Sequence, residues 1–429
     1  MKSNSSKTFQ PGFLKGVFQK GINYFYINLV DRLVAFLSFL LLARAFDLHL
    51  YGKISTVFAF SSILVTVFDL GLPIYAQREA AKKENLSKTV SEIFSVKVVS
   101  IILYVIFFPL IAVSFYSDIP FGIILIIGAV SLLQNLSGLL SYFYFGKENS
   151  WLVLKSSIVS KLILLVAVTF SYFFLRDIYI FLSGYVLSYI FLTIVYLRNL
   201  DKYDIKTAEV KFLPGSLKIT LVTVLPIGIS GIFNLVYDKI DIVILSAFLD
   251  FDKVAQYSVA YTVYRVALIT FTVILFPAFN QFSRLADNYK VNTRLLMKYV
   301  LTTVLISVVV TVIFVFVVSG LIPVFFGDKY DAASLILVPL SFSIILWGLN
   351  ALSGVYLNGL GKFKNVMVAT LTGMIFNIVS NIVLIPVYGV IGSVYATIAT
   401  EGLILLTEVI FILNYYSGQR KMNAAGTDN

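Results

Sequence analysis

Apolar segments long enough to cross a bilayer follow one another from Gly21 to Tyr416, separated only by short polar connections. A helix needs about 20 apolar residues to span hydrocarbon. Windows of that kind lie near 21–43, 53–76, 91–113, 120–144, 151–174, 178–197, 217–247, 254–281, 297–319, 332–359, 365–385 and 389–414. The pattern predicts an all-α polytopic membrane protein with twelve transmembrane helices. Composition agrees, since 59% of the 429 residues are hydrophobic and 13% are charged, with a mean hydropathy of +0.93. A secretory leader would be one short apolar stretch ahead of a polar chain, so no cleavable presequence is expected.

The net charge of +11 would suggest nucleic acid in a soluble domain, but here the basic residues sit between apolar windows and act as topology signals. Lys2, Lys7, Lys15 and Lys20 precede the first window, Lys82, Lys83 and Lys88 follow the second, Lys202, Lys206 and Lys211 follow the sixth, and Arg420 and Lys421 follow the last. The opposite face receives only Arg44, Lys53, Arg176, Lys253 and Lys329. This asymmetry predicts cytoplasmic termini. The absence of cysteine excludes disulfides and thiolate chemistry, and a single histidine, His49, argues against a histidine metal site. With short loops, no extramembrane catalytic domain fits. The GLGK at 359–362 lacks the full phosphate-binding loop pattern. No cofactor, metal or enzymatic activity is expected.

The two halves repeat. Tyr51–Gln77 aligns without a gap on Ala255–Gln281, bringing Pro73 onto Pro277, and LSGLLSYFYFGK from Leu136 matches LSGVYLNGLGK from Leu352 with a one-residue slip. The expected organisation is an N-terminal lobe over 1–200, a cytoplasmic linker over 201–216, a C-terminal lobe over 217–416 and a tail over 417–429, with six helices per lobe. Transporters build central cavities between such repeats. Duplicated scaffolding without transport is the alternative.

Leu42-Ala43-Arg44, Leu50-Tyr51-Gly52, Phe68-Asp69-Leu70-Gly71 and Arg78 in the first half, then Asp241, Tyr257-Ser258-Val259-Ala260, Arg265, Pro277, Asn377, Asn381 and IPVYGVIGSVYATIATE ending at Glu401, carry a family resemblance. The chain resembles the polysaccharide exporters, including O-antigen repeat-unit flippases, of the multidrug/oligosaccharidyl-lipid/polysaccharide (MOP) exporter superfamily. The resemblance implies a MATE-like MOP fold in a bacterial cytoplasmic membrane. It also implies alternating-access transfer of an undecaprenyl-pyrophosphate-linked oligosaccharide, a monomeric transporter, and polysaccharide polymerase and assembly proteins as partners. The same superfamily implies a cation-coupled multidrug exporter as the alternative.

Charges within apolar windows are expensive unless they face protein or water. The first window carries Asn28, Asp31 and Arg32. Asn28 shares a face with each of the others, but Asp31 and Arg32 diverge and need partners on other helices. In the seventh, Pro226, Gly228 and Gly231 suggest a bend, followed by a stripe of Ser230, Asn234, Tyr237 and Asp241 with Asp238 beside it. The eighth presents Tyr257, Tyr261, Tyr264 and Arg265, whose rings suit sugar faces as well as membrane interfaces. A pyrophosphate headgroup needs fixed cations along its route, and arginine grips phosphate oxygens in a fork. Arg32 and Arg265 are the strongest headgroup candidates, with Lys239 next. Lys155 and Lys161 are weaker, and Lys155 can also snorkel to the surface. Lys239 points about 100° away from Asp238, leaving its partner open. Asp31, Asp238, Asp241 and Glu401 either orient these cations or receive a coupling proton or sodium ion. Glu408 faces the same way as Glu401, and Asp69 is expected to be structural, helping the second helix end or bend before Pro73.

Overall fold

The computed structural model describes residues 11–82, 86–203, 210–285 and 289–425. Lys2, Lys7, Lys83, Lys206 and parts of the 201–216 and 417–429 segments lie outside the described residues, as do the side chains of Lys15, Lys20, Pro226, Ser230, Arg420 and Lys421.

The chain forms α1 (Pro11–Ala45), α2 (Leu48–Asp69), α3 (Leu72–Ala81), α4 (Leu86–Phe115), α5 (Phe121–Gly146), α6 (Ser150–Phe170), α7 (Ile178–Asn199) and α8 (Leu217–Phe248). It continues with α9 (Phe251–Arg284), α10 (Tyr289–Ile313), α11 (Ser319–Phe326), α12 (Asp331–Ser341), α13 (Ser343–Gly359), α14 (Phe363–Tyr388) and α15 (Val390–Ala425). Among the described residues, nine helices are long and apolar enough to cross a membrane, or eleven if each of two bent pairs is one span. The protein is therefore an all-α, multi-pass membrane protein. α8 carries Asp238, Lys239 and Asp241 in its second half and runs unbroken past Pro226 and Gly231.

The apolar surface is turned outward, as lipid requires: Leu110, Val166, Phe316 and Val387 are all exposed. Small polar residues occupy the helix seams, where they permit close packing. Ser160 and Ser188, both fully buried, join α6 to α7 through a 2.6 Å hydroxyl contact. Local signals set several helix starts. Asn149 caps α6 by accepting from the Leu152 amide, and Asp177 caps α7 by accepting from Ile180.

The apolar window at 53–76 is two helices rather than one. α2 ends at Asp69, Leu70 and Gly71 take positive φ of 51° and 86°, and Pro73 lies in the first turn of α3. Proline supports a helix start and not its interior. A 44° bend lies between Thr272 and Pro277 of α9, the same place in the second repeat. The window at 332–359 likewise splits into α12 and α13 with a 47° bend. Pro339 removes one helical donor there, and the Phe342 amide turns to the Pro339 carbonyl instead. Glycines also permit close helix contacts: Gly146 at the end of α5 lies against the Gln77 carbonyl of α3, and Gly359 at the end of α13 lies against Phe282 of α9.

The chain divides into two compact units, one comprising residues up to Ala45 and Leu64–Gly228, the other Phe46–Ile63 and Ile229 onward. In the first unit α1 packs on α6, α6 on α7, α7 on α5 and α5 on α3. One of its cores gathers Leu72, Tyr75, Ile93, Val96, Leu139 and Val224. The amides of Lys211 and Leu213 donate to Ser91 and Ser95 of α4, fixing the chain before α8. In the second unit α9 packs on α12 and α13, α13 on α10 and α15, and α14 along α15, with Phe282, Leu352, Tyr356 and Ile412 in a shared core. The segment from Phe46 belongs here: Gly52 abuts the Phe251 carbonyl, Tyr51 meets Tyr330 edge-on, and Lys329 donates to the Phe46 carbonyl.

Candidate functional site

In the first unit the charges within spans form two pairs. Asp69 and Lys97 are both buried, their carboxylate and ammonium 2.6 Å apart, and Lys97 also bonds Asn135. This accounts for Lys97 and places Asp69 at the α2–α3 break, where the pair ties α2 to α4 and α5. Asp31 of α1 pairs with Lys161 of α6 at 3.5 Å, and the Lys161 ammonium stands 5.0 Å from the centre of the Tyr189 ring. Asp31 thus takes a partner from another helix. Arg32 is exposed on α1 and Asn28, one turn earlier, is half-buried. Lys155 is exposed and sits 4.8 Å from the Trp151 ring centre on its own helix.

In the second unit α8 and α9 converge on Asp238. Its Oδ2 is 3.1 Å from Arg265 Nη1 and 3.6 Å from Lys239 Nζ, while Tyr261 donates to Oδ1 at 3.1 Å. The open question of Lys239 is answered locally, because its side chain bends back to the neighbouring carboxylate. Two cations share one anion, leaving one net positive charge. The Arg265 side chain is 46% exposed, and with one nitrogen engaged it keeps most of its donors. Such a group can hold a phosphate or another oxyanion.

One turn further along α8, Asp241 is 4% exposed and has only neutral partners. Tyr257 donates to Oδ2 at 2.8 Å, Thr397 to Oδ2 at 3.1 Å, and Asn381 to Oδ1 at 2.8 Å. Asn377 is tied to Asn381 one turn away. The paired asparagines four residues apart were the available sequence signal for this cluster. Tyr237 donates to Glu401 Oε1 at 2.6 Å, and Asn350 of α13 donates to Glu401 Oε2. Glu408 bonds Ser353. Sequence reasoning missed Asn350 and Ser353, which sit in an ordinary apolar span with no spacing that marks them.

The tyrosines expected on a sugar platform are buried. Tyr257, Tyr261 and Tyr264 form a ladder with ring centres 5.7 and 5.6 Å apart. In this conformation the hydroxyls of Tyr237, Tyr257 and Tyr261 are engaged with carboxylates. Asn234 is exposed on α8. No group of three or more histidine, cysteine, aspartate or glutamate side chains suited to a metal ion occurs among the described residues.

The family model described as Polysaccharide biosynthesis protein matches residues 17–284, more than half of the chain. A curated relative, the probable low-salt glycan biosynthesis flippase Agl15 of Haloferax volcanii, is 23% identical over 172 residues, 39% of this chain. The match spans 36% of that relative, so about two thirds of its length is not covered. The fold resembles an inward-facing multidrug resistance MATE family transporter of the MOP superfamily, with a TM-score of 0.75, 11% identity and coverage of 90% of this chain and 95% of that one. It also resembles the lipid II flippase MurJ in an inward closed conformation, with a TM-score of 0.70, 17% identity and coverage of 92% and 87%. A third resemblance is to a MOP superfamily transporter from Pyrococcus furiosus, with a TM-score of 0.65, 12% identity and coverage of 93% and 95%.

Proposed function

We propose that this chain, which belongs to the polysaccharide biosynthesis protein family and has the fold of MOP-superfamily transporters, is a flippase carrying a lipid-linked oligosaccharide across the cytoplasmic membrane by alternating access. The family match carries this reading, and the glycan flippase relative supports it over part of the chain. In the proposal Arg265 and Lys239, held by Asp238, meet the pyrophosphate, whose passage through low dielectric requires positive charge. Arg32 and, more weakly, Lys161 are the headgroup candidates of the N-terminal half, with Asp31 orienting Lys161. Asp241, surrounded by neutral donors, receives a coupling proton or sodium ion. Twelve spans in two lobes of six, with cytoplasmic termini, complete the proposed architecture. A polysaccharide polymerase is the partner such a product implies.

A cation-coupled multidrug exporter is the second reading. The observation that favours it is the acidic interior of the second unit, where Asp241, Glu401 and Glu408 are buried, whereas Arg265 is half exposed. One experiment separates the two. The full chain is reconstituted with a labelled undecaprenyl-pyrophosphate oligosaccharide, and its accessibility to a membrane-impermeant reagent is followed beside uptake of a cationic dye. Oligosaccharide transfer above that of empty liposomes, without dye transport, is expected. Dye transport alone would transfer the assignment to the exporter.

A further inference from the structure

Glu401 and Glu408 lie two turns apart on α15, about 10 Å along the axis, and are 2% and 3% exposed. α13 faces both of them. Asn350 Nδ2 donates to the Glu401 backbone carbonyl at 2.9 Å and to Glu401 Oε2, and Ser353 Oγ contacts Glu408 Oε2. The remaining oxygen of Glu408 stands 3.3 Å from the position a Cβ on Gly354 would take. Among the described residues no lysine or arginine pairs with either carboxyl. The titratable groups on this side are Tyr237 of α8, which donates to Glu401, and Tyr264 of α9, which lies near Glu401 and in turn near Asp238 and Arg265.

Hydrogen counting shows which form fits. Ser353 has one hydroxyl hydrogen but two acceptors within reach, Glu408 Oε2 and the Asn350 carbonyl at 3.0 Å. A proton on Glu408 satisfies both contacts: Glu408 donates to Ser353, and Ser353 donates to the carbonyl. Independently, Asn350 Oδ1 is buried without any donor. Among the described residues, Glu401 is held by neutral donors, the Tyr237 hydroxyl and the Asn350 amide. Buried ionised carboxylates with only neutral partners are costly.

We propose that Glu401 and Glu408 form a proton-binding site on the α13–α15 seam, distinct from the Asp241 cluster, that loads and releases protons during transport. The proposal rests on the ion-coupled transport reading. Each step forms or breaks one carboxyl O–H bond, with water taking or giving the proton.

The test is infrared difference spectroscopy on the full chain in lipid nanodiscs across a pH step, for the natural sequence, E401Q, E408Q and S353A. Protonated-carboxyl bands that titrate, each lost in the matching glutamine variant, are expected. S353A is expected to shift the Glu408 band alone, and this readout survives if E408Q folds poorly. Absence of titrating bands, or bands unchanged in the glutamine variants, would overturn the proposal. Because no substrate is present, this result is independent of whether oligosaccharide transfer succeeds.

Discussion

Replacing Lys97 by methionine leaves Asp69 charged in a site where both side chains are at most 4% exposed. The 2.6 Å contact to the ammonium is lost, and Asn135 retains no cation to share. Removing one member of a buried pair costs about 3–5 kcal/mol, because the other stays desolvated. At about 1.4 kcal/mol per factor of ten, that shifts the folded-to-unfolded ratio by roughly two to three and a half powers of ten. Stability near 5–15 kcal/mol in total leaves little margin for such a loss. The paired change D69N/K97M removes both charges and is expected to recover most of it. The chain carries two tryptophans, Trp151 in the first unit and Trp347 in the second. In a W347F background, Trp151 fluorescence during denaturant unfolding in micelles therefore reports the affected unit. If K97M unfolds at the same denaturant concentration as its parent, or the double variant is less stable than K97M, the pair does not hold the α2–α3 break as argued.

Other substitutions separate site chemistry from packing. R265A is expected to reduce oligosaccharide transfer at least tenfold with unchanged membrane insertion, the loss of one charge-assisted contact of about 1.5–3 kcal/mol; R265K, keeping the charge without the fork, should fall between, and equal loss of folded protein would make Arg265 a packing residue. D241N should weaken the response of transport to an imposed proton or sodium gradient while preserving exchange, the site at Glu401 and Glu408 leaving a residual proton response, and an undiminished response would place coupling elsewhere. In the Phe46–Ile63 segment, G52A puts a Cβ 1.9 Å from the Phe251 carbonyl and should sharply lower the yield of folded protein. H49A, at the exposed 3.2 Å contact with Asp252, should change stability by at most about 1 kcal/mol, measured by thermal unfolding.

Helices were legible in the sequence because lipid imposes length and apolarity on each segment separately. The breaks were less so. Asp69 and Pro73 marked the α2–α3 boundary, yet it takes the positive φ of Leu70 and Gly71 to end one helix and start another. Charge partners were the least legible, since sequence spacing describes one helix and pairing depends on two. Asp31 finds Lys161 on α6, and Asp69 finds Lys97 on α4, while Lys239 turns to its neighbour Asp238 although helical directions separate them. The side-chain length of lysine overcomes that divergence. Asp241 was recognisable as a buried carboxylate, but its donors come from α9, α14 and α15, which no single periodicity reveals.

The sharing of Asp238 by Arg265 and Lys239 has an electrical consequence. While Asp241 carries its proton, the one positive charge left over at Asp238, Lys239 and Arg265 couples to voltage by about 2.3 kcal/mol for each 100 mV it fully traverses. Any rearrangement that displaces α8 and α9 along the bilayer normal is then biased by the resting potential, even with no substrate aboard. An anion bound at Arg265 would cancel that bias, so the empty and loaded return strokes would feel the membrane field differently.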